Sequence, residues 1–258
     1  MPKLAANLSM MFTEHAFLDR FEAAAEAGFA AVEFLFPYDH PPEAIAERLE
    51  RNRLTQALFN LPPGRWDEGE RGLAALPGRF EEFKAGLAAA LDYVEATKVN
   101  RVHMMAGNAS GKDPEAEASY RRAIGYAAPI LAERGVDLLL EPINTRNMPA
   151  YFLNDFAYTS ALIDQLGQPN VKLQFDVYHR QILHGDVTTS FRALQPIVGH
   201  IQVASVPSRH EPDGEELNYP FLFAEFDRLQ YDGYIGCEYN PRAGTLEGLA
   251  WFKPYRRV

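Results

Sequence analysis

Four oxygen-bearing side chains each stand at the end of an apolar run. They are Glu141 after Val136–Leu140, Asp176 after Val171–Phe175, Gln202 after Val198–Ile201, and Glu238 after Tyr234–Cys237. The steps between them are 35, 26 and 36 residues (141 to 176, 176 to 202, 202 to 238). Each step is roughly one strand–helix unit of a barrel that fits eight such units into about 250 residues. Polar groups at the same end of successive parallel strands converge on one mouth. Three carboxylates and an amide offer only hard oxygen ligands, a set that suits Mg2+ or Mn2+ and disfavours Zn2+, which prefers His and Cys. A single acid at a strand end is most often a helix cap or a surface charge. Four such groups on consecutive strands make a shared metal site an equal competitor, and pattern alone leaves both readings open.

Side chains alternate faces along a strand. If Glu238 points into the barrel, Cys237 points out toward the helices as a core thiol. Gln174, His200 and Leu139 then lie on the ligand face, one layer deeper. Gln174 and His200 are candidates to support the ligands, or plain structural hydrogen-bonding groups.

The elements that must position these groups recur along the whole chain. Strand-like runs are expected at 3–8, 30–35, 54–60, 100–106, 136–142, 171–177, 197–204 and 233–239. Helix-like runs are expected at about 14–27, 42–52, 78–97, 115–134, 155–167, 187–194, 219–230 and 244–252. Gly28, Gly135 and Gly233 stand where helices should stop. Eight alternations with a parallel sheet imply a (β/α)8 TIM barrel, a single domain over 1–258. An open doubly wound sheet is the runner-up, but Asn7-Leu8-Ser9-Met10-Met11 is not its Gly-rich first turn. Residues 61–77 and 205–218 are long, polar connections after strands 3 and 7, at the mouth where barrel active sites are built.

Composition narrows the function. Hydrophobic residues are 47% and charged residues 23%, enough apolar material for a packed core. A formal charge of −10 argues against a nucleic-acid surface. No run reaches the ~18 apolar residues of a membrane span. The first residues lack a signal-peptide core, and one cysteine excludes an internal disulfide. A cytoplasmic location is therefore expected. A homo-oligomer is compatible with the chain but not readable from it.

Longer strings carry a resemblance. The chain resembles the hydroxypyruvate isomerase family, within the xylose-isomerase-like barrels, nearly end to end. The strings include Ala6-Asn7-Leu8-Ser9-Met10, Val32-Glu33-Phe34-Leu35-Phe36-Pro37-Tyr38, Leu58-Phe59-Asn60-Leu61-Pro62-Pro63-Gly64, Gly72–Arg79 and Gly236-Cys237-Glu238-Tyr239. The opening stretch and Arg209-His210-Glu211-Pro212-Asp213 resemble the 2-oxo-tetronate isomerases; Glu141-Pro142-Ile143-Asn144 resembles the hydroxypyruvate isomerases proper. The resemblance implies a divalent metal on Glu141, Asp176, Gln202 and Glu238, with the two glutamates as acid and base. It also implies that His179 and Arg209 contact a small hydroxy-oxo acid substrate.

The implied reaction is an intramolecular oxidation–reduction that moves a carbonyl between adjacent carbons through an enediolate, as in hydroxypyruvate to tartronate semialdehyde. Its demanding step removes a proton beside a carbonyl, which a carboxylate base and a nearby cation assist. Arg209 suits the substrate carboxylate because guanidinium pairs with it bidentately. Asn60, with Phe36, Tyr38 and Phe59, is placed to wall the site, although aromatics at such positions more often simply pack. A ketose 3-epimerase on the same barrel is the alternative. A barrel endonuclease would need more than the 7 His present and a basic groove. Gly107–Asp113 is one residue short of a phosphate loop. His184-Gly185-Asp186 reads as a helix start with Asp186 as its cap.

Overall fold

The computed structural model describes residues 1–256. Eight strands, β1 (Lys3–Asn7), β2 (Ala31–Phe34), β3 (Thr55–Asn60), β4 (Arg101–His103), β5 (Asp137–Leu140), β6 (Val171–Asp176), β7 (Val198–Val203) and β8 (Tyr234–Cys237), close into a parallel barrel in chain order. The helices are α1 (Arg20–Ala27), α2 (Pro42–Arg51), α3 (Phe80–Thr97), α4 (Pro114–Ala132), α5 (Phe156–Leu166), α6 (Val177–His184), α7 (Val187–Leu194), α8 (Tyr219–Arg228) and α9 (Thr245–Gly248). This is the (β/α)8 barrel that the alternation implies. No helix among the described residues is long and apolar enough to cross a membrane.

Outward strand residues meet the helices. Phe175 lies edge-on to Phe156 of α5 at 5.5 Å and to Phe191 of α7 at 5.4 Å. Truncating a buried phenylalanine of this kind costs about 3–5 kcal/mol. Cys237 is fully buried in the same layer, as the alternation requires. Ala5, Ala31 and Ala57 form a separate buried cluster, with Tyr234 packed against it.

Two local features set the register at the mouth. Between β6 and β7 the pairing runs Leu173 with Val198, then Gln174 with His200, so Gly199 is an extra residue on β7. A Cβ at Gly199 would sit 2.7 Å from the Cβ of Lys172 and 2.8 Å from Leu139, so only glycine fits. The shift puts Gln202 opposite Asp176; an unshifted ladder would put Ile201 there. On β8, a Cβ at Gly236 would fall 2.2 Å from a carboxylate oxygen of Glu33, so the missing side chain makes room for Glu33 inside the barrel.

Several expected boundaries change. Helix α6 is unanticipated: it follows β6 with no loop, and the strand-like run at 171–177 hides its start. The stretch expected to be helical from 14 begins as a short 3-10 turn at Phe17–Asp19, and most of the last helix is 3-10, Leu249–Tyr255. Gly28 and Gly135 have the left-handed backbone of helix stops, but Gly233 does not; the turn after α8 uses Gln230 at φ 57° instead. Asp186 does precede α7, yet its side chain caps nothing.

Candidate active site at the barrel mouth

Glu141 and Glu238 lie one residue beyond the ends of β5 and β8, and Asp176 ends β6. With His179 of α6 they form a buried group whose ligand-type atoms all lie within 4.8 Å of one another. Gln202, Arg209 and Asn60 line the same cavity, with a volume of about 110 Å³, as do Glu141, Glu238 and His179. Asp176, also singled out for metal work, stands beside it within the buried group.

The strand-end acid Asp176 caps a helix with one oxygen and turns the other toward the buried group. Its Oδ1 accepts from the backbone N–H of Tyr178 (2.7 Å) and His179 (3.3 Å), capping α6. Its Oδ2 faces His179 Nε2 at 3.5 Å and Arg209 at 3.9 Å. Capping thus fixes one oxygen and leaves the other to the site.

Gln202 is oriented by its neighbours. Its Nε2 donates to Glu33 Oε1 at 2.9 Å, and its Oε1 accepts from Gln174 Nε2 at 2.6 Å. An acceptor at one end and a donor at the other decide which atom of the amide is oxygen, and that oxygen keeps a second lone pair. Gln174 therefore supports Gln202 directly. His200 instead bonds Glu33, through Nε2 at 2.6 Å.

Arg209 is the cation among these acids. It sits in the loop after β7 at φ 60°, donates to Glu238 Oε2 at 2.7 Å, and lies 5.0 Å from the Tyr178 ring centroid. Its Nε has no partner, so donor capacity remains for a ligand. Burial disfavours its charge, but Glu238, Asp176 and Glu141 together outweigh this and hold its pKa above the ordinary value.

Burial raises all three carboxylates. Glu141 is pushed well above the ordinary range by burial, then by Glu238 and Asp176. Burial lifts Glu238 to about 8, against the pull of Arg209. Asp176 is raised by burial as well, with Arg209 and its cap bonds opposing. His179 is held well below its usual pKa by burial, then by Arg209. Oε1 of Glu141 is buried with no hydrogen-bond partner. Three buried acids against one guanidinium, with an orphaned carboxylate oxygen among them, is an arrangement a divalent cation would relieve. The oxygen donors present suit Mg2+ or Mn2+.

Several site residues escape the sequence reading. Glu33 is fully buried and accepts from Asn7 Nδ2 (3.0 Å), Gln202 and His200. It interrupts an apolar run inside β2, with Val32 before it and Phe34-Leu35-Phe36 after it, so a rule built on strand ends passes it over. His103, at the end of β4, is 3.6 Å from Glu141 Oε2; burial, then His200, lowers its pKa to about 3. Trp66 supplies an aromatic wall from the 61–77 loop. Of the expected aromatics, Phe36 packs on Trp66 at 5.0 Å, and Tyr38 packs on Phe59 while its hydroxyl donates to the Asn60 carbonyl at 2.7 Å; none of the three lines the cavity.

Residues 21–255 match the family model described as a xylose isomerase-like TIM barrel. A 2-oxo-tetronate isomerase of Cupriavidus necator is 54% identical over 99% of each chain. The hydroxypyruvate isomerase of Escherichia coli K12 is 41% identical, over 99% of this chain and all of the other. Among solved structures, a protein named AP endonuclease, family 2, from Brucella melitensis superposes with a TM-score of 0.98 at 49% identity over the full length of both chains. A D-psicose 3-epimerase from Clostridium cellulolyticum H10 shares 16% identity at a TM-score of 0.76 over 95% of this chain and 87% of the other, a likeness of fold alone. The chain belongs to the hydroxypyruvate isomerase family of enzymes, within the xylose isomerase-like TIM barrels.

Proposed function

We propose that the protein is a metal-dependent isomerase of small hydroxy-oxo acids, acting on hydroxypyruvate or the related 2-oxo-tetronates. The observation that carries this reading is the buried group of Glu141, Asp176 and Glu238 around Arg209. It sets three carboxylates beside a guanidinium, the groups that proton transfer and the holding of a substrate carboxylate require. The full-length identity to named isomerases of both substrates supports the substrate class.

Arg209 would hold the substrate carboxylate, and Asn60 and Trp66 would bound its far end. Glu141 and Glu238 come from β5 and β8, three strands apart, so either can face the carbon chain. One of them takes the proton from the hydroxyl-bearing carbon and returns it to the neighbouring carbonyl carbon. The hydroxyl proton passes between the two substrate oxygens, and His179 is placed to hydrogen-bond one of them. Without a metal, burial favours the protonated carboxyls; a cation on them would lower that proton affinity and leave a carboxylate able to act as base. A divalent cation held by Glu141, Asp176, Gln202 and Glu238 would supply positive charge for the oxygens as negative charge develops. Capping of α6 and the Glu33–Gln202–Gln174 chain keep those oxygens aimed at the cavity.

The endonuclease name of the Brucella protein finds no support in this site. Among the described residues one histidine joins the acidic group, and a net charge of −10 argues against a basic groove. The reading is tested by proton exchange in D2O with hydroxypyruvate and 2-oxo-tetronates, with and without Mg2+ or Mn2+. Metal-stimulated exchange is expected, falling by roughly 10²–10⁴ in Glu141→Gln or Glu238→Gln. No exchange with any substrate, or near-normal turnover in both variants at full metal content, would overturn it.

A further inference from the structure

His179 has two incompatible roles open to it. Its Nε2 lies 3.5 Å from Asp176 Oδ2 and 4.0 Å from Glu141 Oε1, close enough to join a metal's ligands. A ring nitrogen with a free lone pair can ligate; one that carries a proton can only donate. Which applies at Nε2 is decided by what faces Nδ1.

Asn144, fully buried in the segment after β5, faces Nδ1. Its side-chain Nδ2 is 2.6 Å from Nδ1, and its backbone N–H points at the same atom from 3.4 Å. The amide cannot be turned round. The backbone N–H of Asn147 donates to Asn144 Oδ1 at 2.9 Å, which requires oxygen at that position. The NH2 group is therefore the end toward His179, and it also donates to Asn147 Oδ1 at 2.8 Å. Tyr178 OH holds that Asn147 oxygen from the other side at 2.9 Å. Two donors converge on Nδ1, so Nδ1 must accept and the ring proton must sit on Nε2.

We propose that Asn144 is a positioning residue that locks His179 as the Nε2–H tautomer, making it a hydrogen-bond donor to the substrate and barring it from the metal. Asn144 does not line the cavity and acts only through His179. The metal ligands are then oxygens alone. The identity of the group that Nε2–H serves rests on the isomerase reading; the tautomer does not.

The test uses the full chain labelled with 15N-histidine and read by long-range proton–nitrogen correlation, first without metal. His179→Gln assigns the His179 signals by their loss. The wild type is expected to show a neutral ring protonated at Nε2, unchanged by excess Mg2+. Asn144→Ala should give mixed tautomers, and Asn144→Asp, which sets a carboxylate against Nδ1, should move a proton onto Nδ1. Turnover in Asn144→Asp should fall roughly 10–100-fold, as is usual when a group behind an active-site ligand is lost, with a smaller change in KM. An Nδ1–H ring in the wild type, a metal-induced switch to it, or a tautomer indifferent to both Asn144 variants would overturn the proposal. An Nε2–H ring in a protein that isomerises none of the substrates would uphold the tautomer and sink the isomerase reading instead.

Discussion

Glu33 offers the sharpest test of how the barrel interior holds its site. Its two oxygens accept from Asn7, Gln202 and His200 at 3.0, 2.9 and 2.6 Å, all in a layer closed to solvent. Glu33→Ala strands three buried donors, each costing about 1–3 kcal/mol. Water entering the vacated space recovers part of that, so a loss of about 3–5 kcal/mol is expected, a large share of the 5–15 kcal/mol that typical domains possess. Glu33→Gln keeps one acceptor oxygen and should lose about 1–3 kcal/mol. Gly236→Ala reaches the same network from the opposite strand, because its Cβ would fall 2.2 Å from a Glu33 oxygen. It should cost about 1–3 kcal/mol in the wild type and close to nothing in a Glu33→Ala background, where the clash partner is gone. Urea unfolding of the four proteins in this cycle, without metal, measures the coupling. Activity should fall in the same order, because Gln202 loses the bond that orients its amide. Additive effects of Glu33→Ala and Gly236→Ala, or a Glu33→Ala protein as stable as wild type, would refute the network.

The raised carboxylates make a pH prediction for the metal-free protein. A carboxyl whose folded pKa lies above its unfolded value contributes stability that is full in acid and is lost as pH rises through the folded pKa. With Glu238 at about 8, the metal-free protein should lose stability between about pH 5 and pH 9, Glu238→Gln should flatten that slope, and excess Mg2+ should offset it. Arg209→Lys keeps the charge but loses the paired geometry; KM for a hydroxy-oxo acid should rise about tenfold with a smaller change in kcat, and an unchanged KM would remove Arg209 from substrate binding. On the acid side, the Glu70 side chain, bonded to Arg79 and Arg65, is held down to about 2. Its contribution is present above the ordinary carboxylate range and lost as pH falls through about 2. Trp66 fluorescence, read in a Trp251→Phe background, should therefore report the 61–77 loop loosening as pH falls toward about 2 in the parent, whereas Glu70→Gln should be loosened already at neutral pH and lack that transition.

The architecture was legible because its signals are local. Apolar runs alternating with helical spacing imply eight strand–helix units, and strand-end position puts Glu141, Asp176, Gln202 and Glu238 at one mouth. Side-chain alternation was equally local, and Cys237 lies outward as it demands. Helix α6 was hidden because Asp176 is at once the last strand residue and the cap of the next helix, a double use that periodicity cannot separate. Glu33 was missed because it sits within β2 between apolar residues, not at a strand end, and outside the half of the barrel where the spacing drew notice.

What the sequence determined by itself was which residue types could reach the mouth: three acids, an amide and a basic loop residue. What only the tertiary structure decided was their state and aim. The extra residue at Gly199 slides β7 by one position and so sets Gln202, not Ile201, against Asp176. Gly236 leaves the space that Glu33 fills, and Glu33 in turn fixes the amide of Gln202. Burial of Glu141, Asp176 and Glu238 around Arg209 raises their proton affinity, which no spacing of letters can show. Each of these depends on groups far apart in the chain, and their energies arise only when folding brings them together and removes the water between them.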